Sequence, residues 1–331
     1  MKVLVTGANG LLGSHVVGEL LNREFRVRAM VRKGSNLKAL QGLDCEFFYG
    51  QITNSSDVES AVTDCDYVIH AAARTSQIPS RLDAFYQPNV QSTKFVFDAC
   101  IKCNIKRFVF VSTANCFGNG TKLLPGNEQN PFPKWLKSSG YAYSKLQAQQ
   151  MVLSKYEKSK LDTVVVNPTF LIGENDVKPS SGAIFFHVVN KMFVFTPPGG
   201  KNFVDAKIAA HGVVNAMLHG KKGESYLLAG ENLSYKEFFK KVVNFTNQKT
   251  IFFKIPAWLL KLLGFGGDVL EKFFKIPVQL TSTNAKMLCV ENYYSAEKAV
   301  KEIGFSMIPV QLSLEKAILW FQKNNYIKFN S

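Results

Sequence analysis

The sequence lacks the features that mark secreted and membrane-spanning chains. No apolar run approaches the roughly 18 residues of a spanning helix, and a strand pattern already begins at Lys2, where a signal peptide would stand. The six cysteines show no spacing typical of a disulfide framework. Cys100 and Cys103 form one C-x-x-C within a helical pattern, which favours reduced, packed thiols over zinc or redox work. We therefore expect a cytoplasmic protein that binds no metal.

Acidic residues are scarce relative to basic ones. The chain has 40 Lys and Arg against 25 Asp and Glu, which gives a formal charge of +15. Because the basic residues are scattered, we expect no specific nucleic-acid site, only attraction of anionic ligands such as a phosphorylated cofactor. At 331 residues and 46% hydrophobic composition, the chain has room for one large domain and a smaller appended part.

A glycine-rich stretch joins the first strand pattern to the first helix pattern. Val3 to Val5 is a short apolar run typical of a buried parallel strand, and an apolar-periodic segment begins at Leu11. The glycines are Gly7, Gly10 and Gly13. Such glycines let the backbone turn tightly and approach a pyrophosphate, and the helix N-terminus offers free N–H groups. The pattern predicts a dinucleotide-binding loop; the alternative is an ordinary strand-to-helix turn.

The end of the second strand pattern has no acidic residue. A carboxylate about 20 residues past the glycines usually binds the ribose 2′-hydroxyl of NAD. After the apolar run 26–31, this chain has Arg32, Lys33, Gly34 and Ser35 instead. Two cations and a hydroxyl suit a 2′-phosphate, so we predict NADP in preference to NAD. The alternative is that Arg32 is only a solvated strand end.

Strand and helix patterns alternate through the first half of the chain. Strands are predicted at 45–49, 67–70, 107–111 and 162–167, and helices at 55–63, 89–103 and 141–158. Later helical patterns cover 184–192, 206–219, 235–246, 257–274, 296–303 and 312–324. The alternation predicts an α/β protein with a doubly wound parallel Rossmann sheet. We expect a cofactor-binding domain at 1–167 and a smaller, mostly helical substrate-binding part at 168–331, with 203–220 able to return to the first domain.

Two further groups of residues are suited to chemistry. Tyr141 and Lys145 lie one helical turn apart, where an ammonium can lower the phenol pKa from its usual value of about 10. Ser112 and Thr113 follow an apolar strand, at the sheet edge where ligands bind in doubly wound folds. The alternatives are a surface i, i+4 pair and hydroxyls that cap the next turn.

With these motifs in this order, the chain resembles an extended short-chain dehydrogenase/reductase. Within that group it is most similar to the dihydroflavonol-reductase-like branch of the NAD-dependent epimerase/dehydratase family, over nearly its whole length. The segments that carry the resemblance include Thr6-Gly7-Ala8-Asn9-Gly10-Leu11-Leu12-Gly13, His70-Ala71-Ala72-Ala73, Asn89-Val90, Ser112-Thr113, Tyr141-x-x-Ser144-Lys145, Asn167-Pro168-Thr169 and Asn202-Phe203-Val204-Asp205.

The resemblance implies a catalytic set of Thr113, Tyr141 and Lys145. Tyr141 would be the general acid in the reducing direction, and Lys145 would hold the nicotinamide ribose and tune Tyr141. The resemblance also implies a homodimer built on helices 89–103 and 141–158. The residues expected at the cofactor are Gly7, Asn9, Gly10, Leu11, Leu12, Gly13, Arg32, Lys33, Ser35, Gln51, Ile52, Ala71, Ala72, Ala73, Asn89, Tyr141, Lys145 and Pro168.

Two positions depart from the family's pattern. The family usually has an acidic residue after the glycine that closes the third strand, where it contacts the adenine amine. Here Gln51 follows Gly50, and its carbonyl can accept the same hydrogen bond. The family's aspartate just after Phe203-Val204-Asp205 is replaced around Lys207-Ile208, which alters a local contact of the second part.

The leading hypothesis is an NADP-dependent reductase. It would move hydride between the nicotinamide and a carbonyl or secondary alcohol of an apolar small molecule, of dihydroflavonol, steroid, or simple aldehyde or ketone type. Phe170, Phe185, Phe186, Phe193 and Trp258 could form an aromatic pocket, although core packing is the better prediction for any one of them. The alternatives are a nucleotide-sugar epimerase or dehydratase with bound NAD, and a non-catalytic dinucleotide sensor.

One segment outside the sheet is strongly hydrophobic. Residues 251–274 are rich in aromatic and aliphatic side chains and also carry Lys254, Lys261 and Lys272. A membrane-surface helix is one interpretation of this composition. Lining of an apolar pocket, or core packing, is the favoured one.

Overall fold

The computed structural model describes residues 1–76, 78 and 81–328. In chain order its strands are β1 (Lys2–Thr6), β2 (Arg26–Val31), β3 (Glu46–Tyr49), β4 (Tyr67–His70), β5 (Arg107–Val111), β6 (Asp162–Pro168), β7 (Phe170–Ile172), β8 (Phe193–Thr196), β9 (Gly200–Asp205), β10 (Ser225–Leu228), β11 (Glu231–Ser234), β12 (Ile251–Lys254) and β13 (Glu291–Asn292). The α-helices are α1 (Leu11–Asn22), α2 (Ser55–Val62), α3 (Asp83–Phe85), α4 (Ser92–Lys102), α5 (Gly140–Tyr156), α6 (Ala206–His219), α7 (Tyr235–Phe245), α8 (Ala257–Phe274), α9 (Ser282–Cys289), α10 (Glu297–Ile303) and α11 (Val310–Lys323).

Seven parallel strands form the central sheet, in the order β10-β6-β5-β4-β1-β2-β3. Val3 of β1 pairs with Val27 on one side and Tyr67 on the other. Apolar side chains on both faces of β1 are fully buried, because α1 and α6 cover one face and α2, α4 and α5 cover the other. Burial on both faces explains why the strands read as continuous apolar runs. The predicted doubly wound parallel sheet is confirmed.

Residues 206–228 lie with the first part of the chain, although they follow residue 167. Helix α6 packs against α1, and β10 pairs with β6 at the edge of the central sheet. Asp205 starts α6, because its carboxylate accepts hydrogen bonds from the backbone N–H groups of Lys207 and Ile208. The domain boundary at 167 stays a prediction, and residues 329–331 of the second part lie outside the described residues.

The second part contains more strand than predicted. Strand β9 pairs with β7, β11 and β13, and β8 pairs with β12 in a separate two-stranded sheet. The predicted helix at 184–192 is a 3₁₀-helix at Ser181–His187 followed by β8. These strands have two to six residues, and periodicity cannot distinguish such short apolar runs from pieces of helix.

The hydrophobic segment 251–274 also differs from the favoured prediction. It divides into β12 and α8, joined through Pro256, and most of the large apolar side chains of α8 are exposed. Core packing is therefore wrong for most of this segment. None of the helices that the structure describes is both long enough and apolar enough to cross a membrane.

Candidate functional site

The glycine loop brings three backbone segments into close contact. Gly7 has φ of +67°, and a Cβ there would lie 2.7 Å from the Ala72 backbone. A Cβ on Gly13 would lie 2.1 Å from the Gly7 carbonyl oxygen. Helix α1 begins at Leu11 without a side chain that caps it. The first-turn N–H groups of α1 are thus left for an anionic ligand, and this backbone cradle fits a dinucleotide pyrophosphate.

The turn after β2 carries the residues predicted to bind a 2′-phosphate. The Ser35 N–H donates to the Arg32 carbonyl over 3.0 Å, which closes the turn and leaves Arg32 and Lys33 exposed. The Ser35 hydroxyl is buried and has no hydrogen-bond partner among the described residues. The Asn9 amide reaches across to the Asn36 carbonyl over 3.1 Å. The turn and the glycine loop are therefore joined by this bond, with two exposed cations on the turn and an unpaired hydroxyl buried beneath them.

The loop after β3 places Gln51 on the surface beside an acidic residue. The Gln51 N–H donates to the Asp57 carboxylate over 2.7 Å, and Ile52 is half-buried against the core. Asp57 lies in the first turn of α2. A carboxylate is thus present next to position 51 in space, although it is absent from position 51 in sequence. The sequence feature that could have indicated this carboxylate was Asp57 in the first turn of the predicted helix, which sequence reasoning treated only as part of that helix.

His70 joins the glycine loop to the next helix through a buried chain of hydrogen bonds. The Thr6 hydroxyl lies 2.7 Å from His70 Nδ1, and the Thr93 hydroxyl lies 3.0 Å from Nε2. Thr93 donates to the Asn89 carbonyl, so Nε2 carries the hydrogen. Thr6 also accepts from the Ala72 N–H over 3.2 Å. Burial lowers the pKa of His70 to about 3, which keeps the ring neutral. Sequence reasoning included His70 in a motif without giving it this role.

Asn89 lies in a π-helical turn at 86–91 and does not start an α-helix. Its side-chain oxygen accepts from the Arg74 N–H over 2.7 Å. Its amide group donates to the Ser144 hydroxyl over 2.9 Å and to the Arg74 carbonyl over 3.2 Å. Asn89 therefore connects the segment that follows Ala73 to α5, between Tyr141 and Lys145. Through these bonds Asn89 positions the two segments relative to each other.

The three predicted catalytic side chains come together where β5 ends. The Thr113 hydroxyl lies close enough to the Tyr141 phenol to lower its pKa. The Lys145 ammonium is buried, donates to the Val111 carbonyl over 2.7 Å and lies 4.2 Å from the Phe110 ring centroid. This arrangement is not the surface pair of the alternative interpretation. Thr113 also caps the following turn by accepting from a backbone N–H, which confirms the capping interpretation, and its catalytic role stays a prediction.

Burial controls the ionisation of the pair on α5. It raises the pKa of Tyr141 to about 12, and the nearby Thr113 hydroxyl acts in the opposite direction. It lowers the pKa of Lys145 to about 7. The expectation that Lys145 lowers the Tyr141 pKa does not hold in this structure, because desolvation of the phenol dominates and the ammonium is turned to the Val111 carbonyl. Tyr141 is consequently protonated at neutral pH.

Asn167 fixes the backbone beneath the site. Its amide donates to the Thr113 carbonyl and to the Gln149 side chain, both over 2.8 Å, while its own side-chain oxygen is buried without a described partner. Pro168 follows it at the end of β6 and pairs with Leu228 of β10. Sequence reasoning quoted Asn167 only as part of a motif. A polar residue at the end of an apolar strand was the available signal.

The five aromatic residues predicted to share a pocket do not lie together. Phe185 is fully buried in the core of the second part, whereas Phe193 and Trp258 are exposed. Phe170 is half-buried, and the Lys201 ammonium lies 5.1 Å from its ring centroid. A cavity of about 10 Å³ does adjoin Tyr141. The other residues that line it are Phe85, Ser138, Ser139, Gly140, Thr281, Thr283 and Asn284.

Lys201 is a half-buried cation that sequence reasoning did not single out. Burial lowers its pKa to about 8, and no acidic side chain within the described residues forms an ion pair with it. The residues described also contain no group of three or more His, Cys, Asp or Glu side chains placed to hold a metal ion.

Comparison with known proteins places this geometry in a family. The model of the family described as "NAD dependent epimerase/dehydratase family" matches residues 3–229. The chain belongs to this family. The enzyme is therefore an NAD(P)-dependent oxidoreductase of the extended short-chain dehydrogenase/reductase type, and the resemblance stated from the sequence is confirmed.

Three relatives illustrate the range of the family. A Synechocystis sp. protein named "Putative dihydroflavonol 4-reductase" is 29% identical over 98% of this chain and 95% of its own length. A Dictyostelium discoideum protein named "Sterol-4-alpha-carboxylate 3-dehydrogenase, decarboxylating" is 26% identical over 72% of this chain and 74% of its own. The crystal structure of gox2253 superposes with a TM-score of 0.86 at 26% identity, over 99% of both chains.

Proposed function

We propose that this enzyme is an NADP-dependent reductase that acts on a carbonyl, or in reverse on a secondary alcohol, of an apolar small molecule. The observation that carries the proposal is that Tyr141 lies near the Thr113 hydroxyl and one helical turn from buried Lys145, in a chain that also has the glycine cradle. Bound cofactor supplies or accepts the hydride. The residues of the chain bind the substrate oxygen and move its proton.

Tyr141 is suited to the reducing direction. A protonated phenol can donate to the carbonyl oxygen as negative charge develops there, and a pKa of about 12 keeps Tyr141 protonated at neutral pH. The Thr113 hydroxyl can donate a second hydrogen bond to the same oxygen. Lys145, with a pKa of about 7, can carry a positive charge near the phenol as the proton leaves. Oxidation would first require ionising this phenol, which the same desolvation opposes.

Replacing Tyr141 by Phe tests the catalytic role. The variant keeps the ring and its edge contact with Phe85 but loses the proton donor, so turnover should fall by at least about 100-fold while NADPH binding stays unchanged. Tyr143→Phe is the matched control, because it removes a hydroxyl two residues away. Turnover that survives in Tyr141→Phe removes the catalytic assignment.

The turn after β2 supports NADP as the preferred cofactor. Arg32 and Lys33 are exposed, so two cations are free to bind a phosphate, and the buried Ser35 hydroxyl beside them has no described hydrogen-bond partner. Fluorescence titrations with NADPH and NADH on the wild type and on Arg32→Ala test this. Arg26→Ala, an exposed arginine at the opposite end of β2, is the control. A specific loss of NADPH affinity in Arg32→Ala supports the proposal, and a wild type that prefers NADH refutes it.

Two relatives guide the substrate class. Their names point to a dihydroflavonol and to a sterol carboxylate, which are both large, mainly apolar molecules with an oxygen that can be oxidised or reduced. We extend this to a dihydroflavonol-like, steroid-like, or simple aldehyde or ketone substrate for this enzyme. A screen of such carbonyls for NADPH consumption, with Tyr141→Phe as the blank, tests the class.

One observation favours the alternative of a nucleotide-sugar epimerase or dehydratase. Lys201 is a half-buried cation without a described acidic partner, and a sugar diphosphate could pair with it. Enzymes of that kind reduce and reoxidise a bound NAD in place. Purified protein that retains NAD through gel filtration, and loses affinity for UDP in Lys201→Met, would favour this alternative.

A homodimer through α4 and α5 remains part of the proposal. The two helices pack side by side, and Ile101 on α4 is 43% exposed. Light scattering of the wild type and of Ile101→Lys tests it. A dimer that the variant dissociates supports this interface, and a monomeric wild type excludes it.

A further inference from the structure

Helix α8 presents its apolar face to solvent. Only Leu260, Gly264 and Gly267 of its 18 residues are buried. Seven large apolar side chains are between 41% and 70% exposed, and they recur at helical spacing around the opposite face. These residues, which we call the α8 patch, are Trp258, Leu262, Leu263, Phe265, Leu270, Phe273 and Phe274.

The glycines of α8 fix this orientation. A Cβ on Gly264 would lie 2.7 Å from the Ala285 Cβ, and one on Gly267 would lie 2.0 Å from the Leu280 carbonyl oxygen. The helix therefore packs on the segment 280–285 through a face that has no room for side chains. The Asp268 carboxylate also points inward and accepts from the Ser282 N–H over 3.1 Å. Rolling the helix to bury its large side chains would break this packing.

The α8 patch is larger than an ordinary exposed cluster. From the exposed fractions, its side chains present roughly 700 Å², whereas the largest apolar patch of a typical monomer is roughly 300–600 Å². The strands β8 and β12, which precede α8 in the chain, also expose large apolar side chains. Phe193, Phe195 and Phe253 are exposed on the β8–β12 pair, and Phe253 lies 5.9 Å and 5.8 Å from the other two rings.

The charges around the patch indicate what covers it. Lys261 and Lys272 are exposed and lie three turns apart on one flank of the apolar face, and Lys254 and Lys275 are exposed at its two ends. The acidic residues of α8 are only partly exposed and lie toward the packed side. A helix of about 27 Å with an apolar face and lysine flanks can lie in a lipid headgroup layer, because the lysine stems extend along apolar surface while the ammonium groups reach phosphates.

We propose that helix α8 docks this enzyme on the surface of membranes that contain anionic lipid. A second copy of the chain is a poorer occupant, since a two-fold contact would bring the same lysines of both copies together without exposed acids on α8 to pair with them. Helix α8 packs along α9, and the first turn of α9 lines the cavity at Tyr141. Docking therefore sets the lipid surface beside the candidate active site.

Vesicle co-sedimentation of the full-length protein tests the proposal without measuring activity. The vesicles are phosphatidylcholine with and without phosphatidylglycerol. We expect binding that requires phosphatidylglycerol, weakens with added salt, and falls at least tenfold in Leu262→Ser/Phe273→Ser, because each buried side chain contributes about that factor. The matched control is Leu123→Ser/Leu124→Ser, which alters side chains that are 97% and 79% exposed elsewhere on the surface.

Two further readouts separate the outcomes. Lys261→Glu/Lys272→Glu should lose the preference for anionic vesicles while retaining NADPH binding in solution, which shows that the variant is folded. No binding to anionic vesicles, or equal losses in the control, overturns the proposal. A dimer that dissociates in Leu262→Ser/Phe273→Ser assigns α8 to a second copy and also overturns it. The proposal does not depend on the reductase function, so each can fail alone.

Discussion

Replacement of His70 by Phe should flatten the pH dependence of the free energy of unfolding between about pH 6 and about pH 4. The folded pKa of His70 is about 3, and the unfolded value is about 6.5. Between these two pKa values, His70 is protonated in the unfolded chain and neutral in the native state. The stabilisation is fully present above the unfolded pKa and is lost as the pH falls toward the folded pKa. For these two values, the loss between pH 6 and pH 4 is roughly 2.5 kcal/mol.

Urea unfolding followed by circular dichroism at the two pH values measures this loss. The introduced phenyl ring would lie beside Phe108 and Phe110, on which the imidazole already stacks at 6.3 Å and 5.8 Å, so the ring volume is retained. The variant leaves two threonine hydroxyls without their imidazole partner and should be less stable at pH 6 by about 1–3 kcal/mol. The test compares the stability lost between the two pH values in the variant with that lost in the wild type, and in this comparison the contributions of the carboxylates cancel.

His219→Phe is the control, because His219 is exposed at the end of α6. It should lose as much stability on acidification as the wild type. If His70→Phe also loses as much as the wild type, the imidazole is not held neutral by burial, and the hydrogen-bond chain from Thr6 to Thr93 is wrong.

Two other substitutions, each with a matched control, test the close packing at the glycine loop and the hydrogen bonds of Asn167. Gly7→Ala should lower the free energy of unfolding in urea by at least about 3 kcal/mol and weaken NADPH binding. Gly42→Ala is the control, because Gly42 has φ of +81° but no atom within 4 Å of a Cβ, and it should cost only about 1 kcal/mol. Equal costs would refute the close approach at the glycine loop. Asn167→Leu should lower kcat by at least about tenfold with little change in KM, because it frees the Thr113 carbonyl. Asn215→Leu removes a hydrogen bond to the Ile303 carbonyl at the end of α10, so it should lower stability and leave kcat unchanged. A kcat loss in both variants would refute a specific role for Asn167.

The central sheet could be predicted from sequence because most of its strands are buried on both faces, the edge strand β3 being largely exposed. The buried strands are mainly apolar runs, and helices of regular period separate them. The short strands of the second part have neither property. β13 has two residues, and β8 alternates exposed and buried positions over only four. Their pairing depends on contacts between segments far apart in the chain, which local periodicity does not contain.

The candidate site was predictable where backbone geometry demands a particular residue. Gly7 needs a positive φ and close packing, and Tyr141 and Lys145 share a helix face by spacing alone. The ionisation of that pair was not predictable, because it depends on burial and on the Lys145 bond to the Val111 carbonyl. The exposure of the apolar face of α8 could not be predicted from sequence either. Apolar composition predicts burial, and only the three-dimensional contacts of Gly264 reveal which face is packed.

Buried hydrogen bonds, rather than apolar packing, set the position of α5 over the sheet. The helix buries Ser144, Lys145 and Gln149, which are residue types that a packing helix usually turns to solvent. Each is bonded to a different segment: Ser144 to Asn89, Lys145 to the end of β5, and Gln149 to Asn167. An apolar helix could slide or rotate on the sheet at small cost, but any movement of α5 would leave a buried polar group unpaired, at about 1–3 kcal/mol each. The three bonds therefore hold Tyr141 in one position relative to Thr113, which proton transfer over hydrogen-bond distance requires.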